Sequence, residues 1–182
     1  HNCRVDNGKP FPYAEQMPSK IHGFEYSVSN WATDYAFFLD HSPAEVYPNE
    51  TIVGEFHWEL DEARKFIYPE EVRRLGFDLR VLGAGGTSLA HTCPDLSIGL
   101  SRGWPGLLKD VRESLAKWQS LGNEQRVTYL KAQVIVVEAI IRFAKRHAKR
   151  AAELAQSESN IEQKALYQKV SRNMQQLALG KP

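Results

Sequence analysis

The sequence contains few cysteines and carries almost no net charge. Cys3 and Cys93 are the two cysteines among 182 residues, which excludes a disulfide framework and a metal site built from four cysteines. Lysine and arginine number 23 against 22 aspartates and glutamates, so the chain as a whole is not attracted to nucleic acid or to acidic membranes. From this composition we expect a reducing, cytoplasmic location and no nucleic-acid partner.

Long apolar runs are also missing. The run Val134–Val137 is followed by Glu138, and no run in the sequence approaches the roughly 20 residues that span a membrane. The N-terminus does not resemble a signal peptide. Because the chain begins at His1 and not at methionine, we expect a trimmed, processed or incomplete sequence. The length predicts one globular domain, alone or with an extension.

One long helix is predicted from about Asn123 to Glu158. Its apolar residues recur in alternating steps of three and four, at Val127, Leu130, Val134, Val137, Ile141, Ala144, Ala148, Ala151 and Ala155. Between Val134 and Ile141 nearly every position is apolar, which predicts burial on several sides. At ~1.5 Å per residue the helix would be roughly 50 Å long. Such a helix is either a brace inside a larger structure or projects to meet a partner.

The distribution of proline residues and of apolar periodicity divides the chain into three parts. Residues 1–21 read as an extended arm, rich in proline and without a period. Residues 22–104 combine one helix, from His22 to about Asp40, with irregular backbone and short strands at Thr51–Phe56 and Phe77–Leu82. Residues 105–179 form a three-helix, largely antiparallel segment. The predicted fold class is therefore mainly α with a few short strands.

Local signals mark the ends of the last helices. Gly122 is expected to end one helix in the left-handed conformation, and Asn123 to cap the next. Asn160 and Gln163 have the spacing of a capping box, and Gly180 is expected to end the final helix.

Several motifs suggest chemistry only weakly. The glycine-rich loop Gly83–Ser88 lacks the third glycine of a dinucleotide-binding loop, so a flexible connector is the better interpretation. His57, Glu59 and Asp61 would share one face of an extended stretch, but their spacing matches no established metal site. The basic run Arg142–Arg150 is explained more simply by a solvated helix face than by nucleic-acid binding.

The turn His91–Asp95 is a further candidate, because it lies in the least periodic part of the chain. Cys93, with His91 nearby, is a weak candidate nucleophile, since free cysteines are most often buried and inert. Polar residues on irregular backbone often contact substrates. A histidine that satisfies buried carbonyl groups explains His91 equally well.

Four motifs, taken in order, carry a resemblance: Asn49–Glu55 (NETIVGE), Ala90–Asp95 (AHTCPD), Gly99–Leu108 (GLSRGWPGLL) and Val137–Ala148 (VEAIIRFAKRHA). Their succession resembles the N-terminal region of glycyl radical enzymes of the pyruvate formate-lyase type, especially the branch of diol dehydratases and related lyases. The likeness extends over about Gly23 to Leu177.

This resemblance implies the N-terminal helical part of a ten-stranded α/β barrel surrounded by helices. It implies a lyase, dehydratase or acyltransferase acting anaerobically on a small polar metabolite. A radical-SAM activating enzyme would install a glycyl radical, which forms a thiyl radical on a cysteine. The family also suggests a homodimer, with no cofactor bound directly by this part of the chain.

Both radical-bearing residues of the family lie downstream of the matched region, and Cys93 does not match the catalytic cysteine. The resemblance therefore implies that this chain alone is inactive. It also implies a substrate-binding role for His91, which is preceded by Ala90 where glycine is usual. In this larger enzyme the apolar middle of the long helix would be covered by the barrel, and the chain alone should expose an apolar patch. The alternative is a free-standing helical interaction domain, in which the long helix pairs with a partner helix.

Overall fold

A computed structural model describes residues 12–23, 27–48, 50, 53 and 96–180. The helices in these ranges are α1 (Pro18–His22), α2 (Val28–His41), α3 (Leu96–Ser120), α4 (Glu124–Ser157) and α5 (Ile161–Leu179), preceded by a 3-10 turn at Ala14–Gln16. The described part of the chain contains no strand. The mainly helical prediction is thus confirmed for these residues. The predicted strand at 77–82, most of that at 51–56, and the loop at 83–88 lie outside them.

Helix α4 is the centre of the structure, because α2, α3 and α5 all pack against it. The consecutive helices α3, α4 and α5 are antiparallel, as predicted, and are joined by connections of three residues. Helix α2 instead runs parallel to α4. Val28 and Tyr129 line the same cavity at one end, and Asp40 bonds to Arg142 at the other.

The boundaries of α4 follow from its sequence. Gly122 adopts a φ of 68°, the left-handed conformation that glycine adopts at little cost. The side-chain oxygen of Asn123 then accepts a hydrogen bond from the Arg126 N–H at 3.0 Å, which satisfies one of the unpaired donors at the helix start. The resulting helix of 34 residues is roughly 50 Å long.

The C-terminal half of α4 packs against α5 as its apolar spacing predicts. Ala144, Ala148, Ala151 and Ala155 form one buried cluster with Tyr167, Val170, Met174 and Ala178 of α5. Small alanine side chains allow the two helices to approach closely. The Ser171 hydroxyl accordingly donates a hydrogen bond to the Ala148 carbonyl at 2.9 Å.

The N-terminal half of α4 follows the predicted seam only in part, because Val127 and Val137 are buried as predicted but other seam positions are not. Leu130, Val134 and Ile141 are half-buried, whereas Ala132 and Ala139 are buried. The reason is that α2 and α3 contact this half of the helix, so that a different face of α4 is buried here than against α5.

The start of α5 confirms the predicted cap by Asn160 but not the reciprocal bond predicted for Gln163. Asn160 accepts a hydrogen bond from the Gln163 N–H at 3.0 Å. The reciprocal bond of a capping box would join the Gln163 side chain to the Asn160 N–H, but that N–H donates to Glu158 at 2.9 Å. Gly180 ends α5 with a φ of 66°, as predicted.

The N-terminal prediction is wrong in two respects. The 3-10 turn and α1 form within the supposed extended arm. The first long helix also starts at Val28 and not at His22, because Gly23 ends α1 in the left-handed conformation and Ser27 caps α2 by accepting from the Asn30 N–H at 3.1 Å.

Helix α3 consists of two helical parts that meet at a kink. The first part starts at Leu96, so residues 96–102 are helical and not irregular, whereas the second part is the helix predicted after Pro105. The break falls at Gly103, whose φ of 59° and ψ of 177° lie in a region open almost only to glycine. Gly103 also touches the end of α5: a Cβ atom on it would lie 2.5 Å from the Cα of Gly180. The kink in α3 therefore packs backbone to backbone against the cap of α5.

Candidate functional site

His91, the predicted substrate-binding residue, lies outside the described residues, five positions before α3 begins at Leu96. Cys93 lies outside them as well, together with the predicted metal candidates His57, Glu59 and Asp61. In the parts that the structure describes, no cluster of histidine, cysteine and acidic side chains could hold a metal ion. No helix of those parts is long and apolar enough to cross a membrane. The described structure is a helical layer formed by α2 to α5.

Charged side chains join three helices of this layer. Arg142 of α4 donates two hydrogen bonds to Asp40 of α2, at 2.9 and 2.7 Å. The hydrogen bond with Asp40 raises the pKa of Arg142, with a smaller contribution from the charge of Glu138. Glu138 in turn accepts from Arg112 of α3 at 2.5 Å. Exposed pairs of this kind contribute about 0 to 1 kcal/mol each, so their main effect is to fix the register of α2 and α3 on α4.

Arg146 binds the C-terminal end of α2. Its guanidinium donates to the carbonyl of Ser42 at 3.0 Å and to the carbonyl of Leu39. The last carbonyls of a helix have no partner within the helix, and Arg146 supplies one from α4. Burial lowers the pKa of Arg146, because desolvation disfavours the charged form.

The basic run on α4 is consequently only in part a solvated face. Lys145 and Lys149 are exposed, and Lys149 pairs with Glu153 at 3.9 Å. His147 is buried and Arg146 is half-buried, contrary to the prediction. The sequence carried a signal for His147, since it lies three residues after Ala144 and four before Ala151, two members of the buried stripe.

His147 is 1% exposed. Its Nδ1 atom lies 2.9 Å from the Phe143 carbonyl, and its ring centroid is 4.0 Å from that of Phe143. Burial lowers the pKa of His147 below its ordinary value of 6.5, and the charge of Arg146 lowers it further. The neutral imidazole is thus the form that the folded structure favours.

This shift predicts a pH dependence of stability. Because the folded pKa of His147 is lowered, the unfolded chain binds the proton more tightly, and the stabilisation present above pH ~6.5 is lost as the pH falls below it. We expect the free energy of urea unfolding to fall between pH 7.5 and 5, and the slope to flatten in His147→Gln. Lys145→Gln, at an exposed position of the same helix, is the matched control and should keep the wild-type slope, because lysine does not titrate between pH 7.5 and 5. An identical slope in His147→Gln would refute the assignment.

An apolar groove opens between the N-terminal half of α4 and the two helices beside it. The groove has a volume of about 330 Å³. Its walls include Trp31 and Ala32 of α2, Leu107 and Val111 of α3, and Tyr129 and Val136 of α4. Gln133 is the one amide side chain among the described residues that line it. The groove therefore offers an apolar contact surface with few hydrogen-bonding groups.

The model of the family described as pyruvate formate lyase-like matches residues 80–182, which is more than half of the chain. The chain belongs to the pyruvate formate lyase-like family. The matched region covers α3, α4 and α5.

Two curated relatives are isethionate sulfite-lyases. The one from Oleidesulfovibrio alaskensis is 42% identical over 69 residues, which cover 36% of this chain and 8% of the relative. The one from Desulfovibrio desulfuricans is 29% identical over 160 residues, which cover 78% of this chain and 19% of the relative. The chain thus spans at most about a fifth of the length of these curated relatives.

Solved structures share the fold at low sequence identity. A glycyl radical enzyme from Archaeoglobus fulgidus matches with a TM-score of 0.68 at 17% identity, over 96% of this chain and 30% of its own. The glycerol-bound, B12-independent glycerol dehydratase from Clostridium butyricum matches with a TM-score of 0.62 at 16% identity. The match covers 91% of this chain and 28% of the dehydratase. The resemblance to glycyl radical enzymes is confirmed, and the helical layer has their fold.

Proposed function

We propose that this chain is the N-terminal helical part of a glycyl radical enzyme that cleaves or dehydrates a small polar metabolite. The observation that carries the proposal is the agreement of three comparisons. A family model matches α3 to α5, one curated lyase aligns with most of the chain, and a glycyl radical enzyme matches the fold in an alignment that covers 96% of it. In such an enzyme the helices would lie outside a ten-stranded α/β barrel.

The names of the relatives support the proposed substrate class. They refer to isethionate, glycerol and 1,2-propanediol, which are all small and polar. The two relatives aligned by sequence are lyases, whereas two of the structural neighbours are named for dehydration. A lyase or a dehydratase is therefore favoured over an acyltransferase.

The radical chemistry would be supplied by a cysteine and a glycine outside these 182 residues, with the radical installed by a radical-SAM activating enzyme. This chain alone would then be inactive. Its own helices would hold the candidate turn in place through α3, because α3 begins five residues after His91 and is fixed to α4 by Arg112 and Glu138. We propose a cytoplasmic, anaerobic enzyme that forms a homodimer.

His91 would bind the substrate. The imidazole can donate a hydrogen bond from one ring nitrogen and accept one at the other, which suits a substrate hydroxyl or carboxylate. The support for this role is the place of His91 in the motif Ala90–Asp95, together with the family match that includes this motif.

A second candidate function is a free-standing interaction domain. It is favoured by the apolar positions of α4 that remain half-buried, such as Val134 and Ile135, because these could receive a partner helix. The sequence of the gene beyond Pro182 discriminates between the two. A reading frame with a cysteine loop and a late glycine loop is expected for the radical enzyme, and a stop codon directly after Pro182 would favour the interaction domain.

A further inference from the structure

A second groove runs between α5 and the C-terminal half of α4. It has a volume of about 480 Å³, and it is lined by Ala152, Ala155, Gln156, Lys164, Gln168, Ser171 and Arg172. Lys164 and Arg172 are its charged residues, and no acidic residue is among the described residues that line it. Neither cation has an ion-pair partner in the described part of the chain. The groove therefore carries positive charge that the described structure does not neutralise.

The two cations are too far apart to bind one small anion together. They lie about two turns apart on α5, or roughly 12 Å. Side chains on a helix lean towards its N-terminus, so both cations lean in the same direction and their separation is kept. An ion pair needs its nitrogen and oxygen atoms within about 4 Å, so one carboxylate or phosphate group reaches one cation only. The groove therefore matches two anionic groups held roughly 12 Å apart.

Exposed apolar residues stand at both ends of the same face of α5. Ile161 is 84% exposed and Leu179 is 59% exposed. They are the first and last residues of this 19-residue helix, about five full turns apart, so they point in the same direction. Gln168 and Arg172 lie on that face as well, about two or three turns from each end. The removal of apolar side chains from water favours binding, and a free anion would leave both ends exposed.

The charges argue against two other occupants. In a two-fold contact between antiparallel α5 helices of two copies, Lys164 of one copy would lie opposite Arg172 of the other. Like charges placed opposite each other disfavour such a contact. The acidic residue of α5, Glu162, does not line the groove and offers no compensation. A nucleic acid is also a poor match, because two cations neutralise about two phosphates, whereas DNA-binding faces commonly contact roughly 6 to 10.

We propose that this groove is the docking site for an acidic helix of a separate protein. Two carboxylates of that helix, about two turns apart, pair with Lys164 and Arg172, and its apolar side chains cover Ile161 and Leu179. A helix is the fitting shape, since a groove between two packed helices receives an amphipathic helix along its length. The proposal concerns only α4 and α5, so it holds whether or not the complete protein carries a glycyl radical.

Titration of the complete polypeptide with a synthetic peptide tests the proposal. The peptide is an alanine-rich helix of about 19 residues, matched to the length of α5, with leucine near both ends and two glutamates about two turns apart. Comparison peptides carry glutamine or lysine in place of the glutamates. Fluorescence anisotropy of the labelled peptides measures Kd at low salt, because salt screens charge attraction. We expect the glutamate peptide to bind about tenfold more tightly than the glutamine peptide, because two ion pairs form.

Charge-reversed variants locate the binding site. Arg172→Glu should weaken binding of the glutamate peptide by about tenfold, and the double variant Lys164→Glu, Arg172→Glu should prefer the lysine peptide instead. Lys169→Glu is the matched control, because Lys169 is exposed on the same helix but does not line the groove. The control should change Kd by less than about twofold. Arg172→Gln replaces Arg172→Glu if the charge reversal lowers the melting temperature.

Four results would overturn the proposal. The first is equal affinity for the glutamate and glutamine peptides, which includes no binding of either. The second is an equal loss of affinity in Arg172→Glu and Lys169→Glu, which would show a general attraction between charges. The third is sedimentation of the wild type as a dimer that Arg172→Glu dissociates, which would identify a second copy as the occupant. The fourth is displacement of the glutamate peptide by duplex DNA, which would assign the groove to nucleic acid.

Discussion

Replacing Gly103 by alanine is expected to lower the free energy of unfolding by about 3 kcal/mol. Two costs combine. The φ of 59° and ψ of 177° at Gly103 lie in a region where a residue with a side chain is strained by about 1 to 3 kcal/mol. The new Cβ would also lie 2.5 Å from the Cα of Gly180, and relieving such a clash costs about 1 to 3 kcal/mol. Thermal unfolding should show a midpoint lower by roughly 6 to 12 °C.

Gly122→Ala is the matched control for this substitution. Gly122 also has a positive φ, 68°, but a Cβ atom there would meet nothing within 4 Å. The control therefore measures the backbone strain alone, about 1 kcal/mol. If both variants lost the same stability, the contact between the kink of α3 and the end of α5 would contribute nothing, and the packing described for this junction would be wrong.

Replacing His91 by alanine in the complete enzyme is expected to lower kcat/KM by about tenfold to a hundredfold. A hydrogen bond to a charged group is worth about 1.5 to 3 kcal/mol, and each 1.36 kcal/mol corresponds to a factor of ten in rate. Steady-state kinetics with the parent's substrate would measure the loss. The amount of glycyl radical should stay at the wild-type level, because His91 is proposed to contact substrate and not the radical.

Two further measurements separate substrate binding from a structural role of His91. His91→Gln retains a side chain that can donate and accept a hydrogen bond, so it should recover part of the lost kcat/KM. The melting temperature of His91→Ala should match that of the wild type. Unchanged kcat/KM in His91→Ala would remove the proposed role, and a large drop in melting temperature would assign His91 to the folded core.

The helix boundaries that the sequence predicts correctly depend on local chemistry. Gly122, Asn123, Asn160 and Gly180 each act within one helical turn, through a left-handed backbone or a side-chain cap. Such signals are contained in three or four neighbouring residues, so the helix boundaries can be predicted without the tertiary structure. The alanine stripe of α4 against α5 is predicted for the same reason, because its period is that of the helix itself.

The features that the sequence does not predict depend on contacts between distant residues. Residues 96–102 are helical ahead of Gly103, the glycine that packs on the end of α5, whereas Gly103 and Pro105, read locally, predict only the helix that follows them. Arg146 resembles the exposed lysines around it, and only the nearby end of α2 gives it two carbonyl partners. The parallel orientation of α2 along α4 likewise depends on contacts between residues that are distant in the sequence.

The candidate site was predicted by resemblance more than by physical pattern. His91 lies on a short proline turn whose residues are equally consistent with a buried structural histidine. The order of four motifs pointed to the family, and the family match over residues 80–182 confirms that relationship. The role of His91 stays a prediction, because a substrate pocket assembled from distant segments cannot be read from one turn.

Electron paramagnetic resonance of the complete gene product tests the central proposal most directly. The anaerobic protein is incubated with a radical-SAM activating enzyme, S-adenosylmethionine and a reductant, and then frozen. We expect a glycyl radical signal that is absent when the activating enzyme or S-adenosylmethionine is left out. A protein that is fully folded and binds the activating enzyme, yet never gives this signal, would contradict the assignment of these helices to a glycyl radical enzyme.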